Sequence, residues 1–205
     1  MELLRPAPEH LAGYCAALAQ GWSPNTTRPE AAQETLQAIE ADAAAYLATT
    51  HDPEGVGPPI TLPDGSRVPR LPGVVRWMWD KAGVSGVGGV SGVSGESRDE
   101  GFCGVISLRW PKNPGPLPPH VLGHIGYAVV PWKQRRGHAT RALGLLLPLA
   151  RAFGLPHVEL TTDTDNLPSQ RVITANRGVL VETFTKPAAF GGTPGLRFRI
   201  DLRQA

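Results

Sequence analysis

Apolar residues dominate two stretches, Val74 to Asp80 (VVRWMWD) and Phe102 to Trp110 (FCGVISLRW). Both are rich in β-branched and aromatic residues, which suit a half-buried pleated surface, and both predict strands. Upstream, Met1 to Arg5 reads as a short strand, and an alanine-rich helix follows Pro8 and extends to about Ala19. Ser23 to Thr27 is a turn cluster. A second helix is predicted from Arg28-Pro29-Glu30 through Glu40 towards Leu47, with Pro29 in its first turn. Inside the proline- and glycine-dense stretch from His51 to Gly73, Thr61 to Val68 reads as a small hairpin turning at Asp64-Gly65.

The second half alternates strands with helices. Tyr127 to Pro131 ends an apolar run, and a helix follows whose broad apolar face is predicted from Leu143, Leu145, Leu146, Leu147, Leu149 and Phe153. Pro148 inside it removes a backbone donor and predicts a kink. His157 to Asp163 is the next strand, and Asn166-Leu167-Pro168-Ser169 opens another helix. Ala175 to Gly178 reads as that helix's end, with Gly178 as the left-handed residue. Val179 to Thr185 and Leu196 to Leu202 alternate as closing strands. The order is β-α-α, a β meander, β-α, β-α, β-β, which defines a mixed α/β domain.

Composition narrows the class. At 205 residues the chain suits one domain, residues 1–205, with a Gly/Ser/Val-rich loop at about 83–100 read as a flexible hairpin extension. A formal charge of +2 gives no support for nucleic-acid binding through bulk charge. Cys15 and Cys103 are isolated from each other and from ligand spacings, so neither a disulfide framework nor a metal site is expected. No signal-peptide core and no run of membrane-spanning length occurs, and a cytoplasmic protein is expected.

The candidate chemistry sits between Leu122 and Thr140 (LGHIGYAVVPWKQRRGHAT). A strand feeding a basic, glycine-containing turn into a helix start presents free N–H groups and the positive end of a helix dipole. Arg135 and Arg136 add full charge, and Gly137 lets the backbone come close to a ligand. The alternative is a tight turn with no ligand. The turn is neither a P-loop nor a dinucleotide fingerprint, because Gly-Lys-Ser/Thr and G-x-G-x-x-G are both absent.

Gln134, Gly137 and Ala139 fall on the pattern Q/R-x-x-G-x-G/A, and here the chain resembles the GNAT N-acetyltransferases. Asn166 and Ser169 resemble that family's N-x-x-A/S element. GHIGYAVVP, RRGHAT and TTDTDNLPSQRVI follow one another as in a bacterial GNAT group. The resemblance implies an α/β GNAT fold, with a mixed central sheet splayed between its fourth and fifth strands and flanked by helices. It implies acetyl-CoA as co-substrate, with no metal. The acetyl group would pass by direct attack in a ternary complex to a primary amine of a small molecule or peptide.

Residue by residue, the resemblance places pantetheine along Val129 and Val130. It places the pyrophosphate at Gln134, Arg135, Arg136, Gly137, His138, Ala139 and Thr140, and the pantetheine arm at Asn166 and Ser169. Asn166 has a second reading as a helix cap, and Ser169 as a packing residue. Many relatives carry a tyrosine acid seven residues after the asparagine; here that position is Ile173. Catalytic candidates are therefore His124 as base and Tyr127, with His120 and Glu159 nearby. Strand alternation sends His124 and Tyr127 to opposite faces, so both reach substrate only across a bulge. His124 is otherwise a half-buried strand residue. Homodimerisation through the terminal strands is common in the family. The competing reading is an acyl-CoA-binding or regulatory module without efficient chemistry, favoured by Ile173.

Overall fold

A computed structural model describes residues 1–62, 64–80 and 101–203; the Gly/Ser/Val-rich loop at 83–100 lies outside the described residues. One sheet has the order β1 (Glu2–Leu4), β5 (Gly73–Trp79), β6 (Phe102–Arg109), β7 (Ile125–Val129), with β2 (His51–Asp52) also paired to β5. A second sheet runs β8 (His157–Asp163), β10 (Pro194–Asp201), β9 (Val179–Thr185). The predicted small hairpin is β3 (Ile60–Thr61) with β4 (Arg67–Val68).

Helices cover both faces. Helix α1 (Leu11–Ala19) and α2 (Ala31–Ala41) bury Tyr14, Ala17, Leu18, Ala32 and Ile39 against Trp77, Phe102, Val105, Ala128 and Val130. Helix α4 (His138–Ala152) and α5 (Leu167–Ala175) cover the other face, over Val74, Met78, Ile106, Leu108 and Ile125. The chain is therefore a three-layer α/β structure, as expected.

Several local expectations change. The second predicted helix is two, because Asp42 takes an extended backbone and caps α3 (Ala43–Thr49) by accepting the Ala45 N–H at 2.9 Å. Helix α4 runs unbroken through Pro148, and its buried stripe is Ala142, Leu143, Leu146 and Ala150; Leu145 faces outward. After α5 the left-handed residue is Arg177, at φ 63°, and not Gly178. Gly178 is required for packing, since a Cβ there would run into Ile173 Cγ2.

Candidate functional site

The two sheets meet and part at one place. Gly123 lies so close to β8 that a Cβ would sit 2.9 Å from the Glu159 carbonyl oxygen. The next residue, His124, donates its backbone N–H to that oxygen at 2.7 Å, and its Nδ1 accepts the Glu159 N–H at 3.0 Å. Beyond this point β7 and β8 belong to separate sheets.

Pairing with β6 decides which β7 groups face the gap. Arg109 N–H donates to His124 O and Val130 N–H to Cys103 O. With the register running Leu108↔Ile125 to Gly104↔Val129, antiparallel alternation turns the even-numbered residues of β7 towards β6. The N–H and C=O of Ile125, Tyr127 and Val129 therefore point away from β6, towards the gap. Val130 is spent: it is fully buried, its N–H goes to Cys103, and its carbonyl accepts the Lys133 N–H at 3.0 Å. The backbone that Val130 was expected to offer to a ligand is thus already engaged, whereas Val129 points towards the gap and its carbonyl accepts Gln134 Nε2 at 3.2 Å.

Past Val129 the chain makes a short 3₁₀ turn, Pro131–Lys133, then reverses through Arg135 (φ 61°) and Gly137 (φ 77°) into α4. Two left-handed residues two apart point successive amides outward. The first bond within α4 runs from Arg141 N–H to Gly137 O, so the amides of His138, Ala139 and Thr140 precede the helical ladder. Arg135 and Arg136 are exposed beside them.

His138 departs from the expected arrangement. Its ring is buried, and only its backbone faces the turn. Burial lowers its pKa, against the pull of Asp80. Its ligand atom and those of Asp80 and Cys103 lie within 4.8 Å of one another. Sequence spacing concealed this group, because it converges from the residue after β5, from β6 and from α4. Asp80 is also 3.6 Å from the Met1 ammonium, so the cluster already holds a cation.

Tyr127 and Ser169 come together: the phenol and Ser169 Oγ are 2.8 Å apart, on the face covered by α4 and α5. Burial raises the phenol's pKa, only partly offset by the Ser169 bond, and keeps it protonated. Asn166 caps α5 by accepting the Ser169 N–H through Oδ1 at 3.1 Å. Asn166 is itself exposed.

His124 is on the other face and does not meet Tyr127. The bulge that would bring both to substrate is absent, because the β6–β7 register is continuous from Ile125 to Val129. His124 is 7 % exposed, and burial outweighs the pull of Glu159 to lower its pKa to about 4. A neutral imidazole whose Nδ1 lone pair holds a backbone N–H is a poor base. The expectation of His124 as general base is corrected to a structural clamp. Glu159 is no better. Burial would raise its pKa, but hydrogen bonds from Arg199 (2.7 Å) and Arg197 (3.0 Å) lower it.

A strand that parts from its neighbour beside a free helix N-terminus gives a splayed mixed α/β fold. The family model described as "Acetyltransferase (GNAT) domain" matches residues 2–178, and the chain belongs to that family. Among solved structures, it is similar to RimL, a ribosomal L7/L12 alpha-N-protein acetyltransferase in complex with coenzyme A. That match is 12 % identical, covers 97 % of this chain and 92 % of that one, and has a TM-score of 0.56. It is also similar to MccE, the microcin C7 self-immunity acetyltransferase in complex with acetyl-CoA and AMP. Identity there is 12 %, coverage 97 % and 91 %, and the TM-score 0.55. None of the curated proteins matches the chain. Among the described residues, no helix is long and apolar enough to cross a membrane.

Proposed function

We propose that residues 1–205 form a single acetyl-CoA-dependent N-acetyltransferase domain acting on a primary amine. The observation that carries this reading is the set of unladdered amides, His138, Ala139 and Thr140, at the end of a strand whose outward backbone groups line an open gap. Those amides, with Arg135, Arg136 and the turn at Gly137, fit a pyrophosphate. Gln134 fixes the turn against β7 through Val129. The N–H of Val129 and the backbone of Tyr127 fit an extended amide arm, and Asn166 and Ser169 close its other side.

Acetyl-CoA, when bound, supplies the acetyl thioester. The Tyr127 phenol, held by Ser169 Oγ and kept protonated by burial, donates its proton to the sulfur as the carbon–sulfur bond breaks and the carbon–nitrogen bond forms. The amine's proton leaves to water, since His124 and Glu159 are both occupied, and the phenolate regains a proton from water. An outward amide of β7 polarises the carbonyl. RimL and MccE are an L7/L12 acetyltransferase and a microcin self-immunity acetyltransferase by name, so a peptide amine or a small-molecule amine is the acceptor class. A homodimer would form by covering β9, an edge strand whose Val179, Leu180 and Val181 are 65 %, 50 % and 46 % exposed.

Calorimetric titration with acetyl-CoA, coenzyme A and ATP, followed by thiol release with an amine panel, tests the reading. Binding of both coenzyme A species but not ATP, with thiol release, is expected. Binding without release from any amine would favour the acyl-CoA-binding module, and no binding at all would overturn the cofactor site.

A further inference from the structure

Arg109 ends β6 opposite His124, and its side chain does not extend into solvent. It folds along the sheet face so that Nη2 donates to Ser107 Oγ at 3.0 Å. A Cβ on Gly126 would lie 3.3 Å from that same nitrogen, so the guanidinium lies over the Gly126 backbone. The Ser107 hydroxyl in turn donates to Gly126 O at 3.3 Å. This ordered cation has no carboxylate partner among the described residues; its one side-chain hydrogen bond is to a neutral hydroxyl.

The surroundings deepen the imbalance. Burial lowers the Arg109 pKa, the mark of a charge removed from water without an anion to repay it. Glu159, which is bonded to His124 across the cleft end, is already taken by Arg197 and Arg199. His124, beside Arg109, is held neutral. A half-buried guanidinium with spare donors and no carboxylate partner among the described residues is a receptor for an anion.

Its place says which anion. Arg109, Ser107, Gly126 and His124 share the sheet face opposite Tyr127, by the β6–β7 register. The α1–α2 cluster covers Val105, Ala128 and Val130 on that face, and Ser107 and Gly126 are partly exposed. The guanidinium thus flanks the start of the gap, about one two-residue strand repeat, or roughly 7 Å, from the backbone that would hold the thioester.

We infer that Arg109 selects the acceptor, and that the acceptor is an amine carrying a carboxylate close to its nitrogen. This rests on the acetyltransferase reading above. The carboxylate could come from a free amino acid or from an acidic second residue of a peptide, and the two sources share the chemistry that Arg109 reads. Arg109 positions substrate and takes no part in proton transfer.

The test uses matched acceptors differing only in charge. Free amino acids are paired with their α-carboxamides, and short peptides with Asp or Glu second are paired with Asn or Gln second. With the wild-type protein, kcat/KM is expected to favour the acid member of one series by roughly tenfold or more, and that series identifies the source. Arg109→Gln should abolish the preference through KM while acetyl-CoA affinity holds, and Arg109→Lys should restore part of it. Independently of turnover, the Arg109 Nε–H resonance should shift when N-acetylated acids are added and not when their amides are. Equal treatment of acids and amides, or an unmoved Arg109 resonance in protein that binds acetyl-CoA, overturns the inference. Failure to bind acetyl-CoA overturns the acetyltransferase reading instead and leaves the resonance test standing.

Discussion

His124 and Glu159 hold β7 and β8 together by two bonds, His124 N–H to Glu159 O at 2.7 Å and Glu159 N–H to His124 Nδ1 at 3.0 Å. The second bond substitutes an imidazole nitrogen for the backbone carbonyl that a regular ladder would use. The strands are thus fixed at one end and free to part at the other. This single clamp, with Gly123 tight against β8, sets where the cleft starts.

The clamp predicts an acid-sensitive fold. The His124 pKa falls from 6.5 to about 4 on folding, because burial disfavours the imidazolium. Above the higher value neither state binds the proton, and stability is independent of this group. As pH drops between the two values the unfolded chain takes up a proton that the folded chain refuses, so stability falls, and it levels off below about 4. The loss is on the order of 3 kcal/mol. Glu159, His157, Arg109 and Arg197 all face His124 and act on its titration, so the control is His124→Asn, which cannot titrate. Urea unfolding across this window should show the slope in the wild type and a flatter profile in the variant.

What could be read from the sequence is what is local. The strand–turn–helix from Tyr127 through Gly137 lies in contiguous residues, and so its fold and its free amides follow from the pattern. The split at Asp42 was missed because the residues on both sides favour helix and only the Asp42 side chain, folded back onto Ala45 N–H, separates them. At the end of α5 the usual preference for glycine in a left-handed turn misled: Arg177 takes that conformation, and Ile173 claims the space at Gly178. His124 joins Glu159 across 35 residues of sequence, and no spacing rule could have paired them. The unpaired state of Arg109 is equally invisible, because it depends on which carboxylates other arginines have already engaged.

Gly137 can be tested apart from steric effects. Nothing lies within 4 Å of a Cβ built there, so the restriction comes from its φ of 77°. Gly137→Val should cost about 1–2 kcal/mol in the turn, shift the amides that follow, and weaken acetyl-CoA binding at least tenfold without unfolding the protein. Gly137→Asn, which tolerates this conformation, should bind nearly as wild type. Equal affinity of the Val variant and the wild type in calorimetry would remove the turn from the cofactor site.

Tyr127→Phe removes the phenol and keeps the ring packing. As general acid its loss should lower kcat by roughly a hundredfold or more while acetyl-CoA affinity changes little. Ser169→Ala should have a smaller effect in the same direction. Since burial raises the phenol's pKa, the alkaline fall in wild-type kcat should come above the ordinary tyrosine range, and the Phe variant should lack it. A Phe variant with wild-type kcat would leave the departing thiolate to water.

Ile173 occupies the position where many relatives carry the acid, and the structure says why a tyrosine cannot simply be restored. Its side chain is 1 % exposed, is part of the core formed by α4, β8 and β10, and presses on Gly178. The position faces inward, so a phenol placed there would meet packed side chains and not the cleft. Ile173→Tyr should therefore destabilise the fold by about 1–3 kcal/mol through overpacking and give no gain in kcat. Thermal unfolding together with thiol-release kinetics decides the matter. A stable Tyr variant with faster turnover would show that this face of α5 reaches the thioester, and would transfer the acid role from Tyr127 to α5.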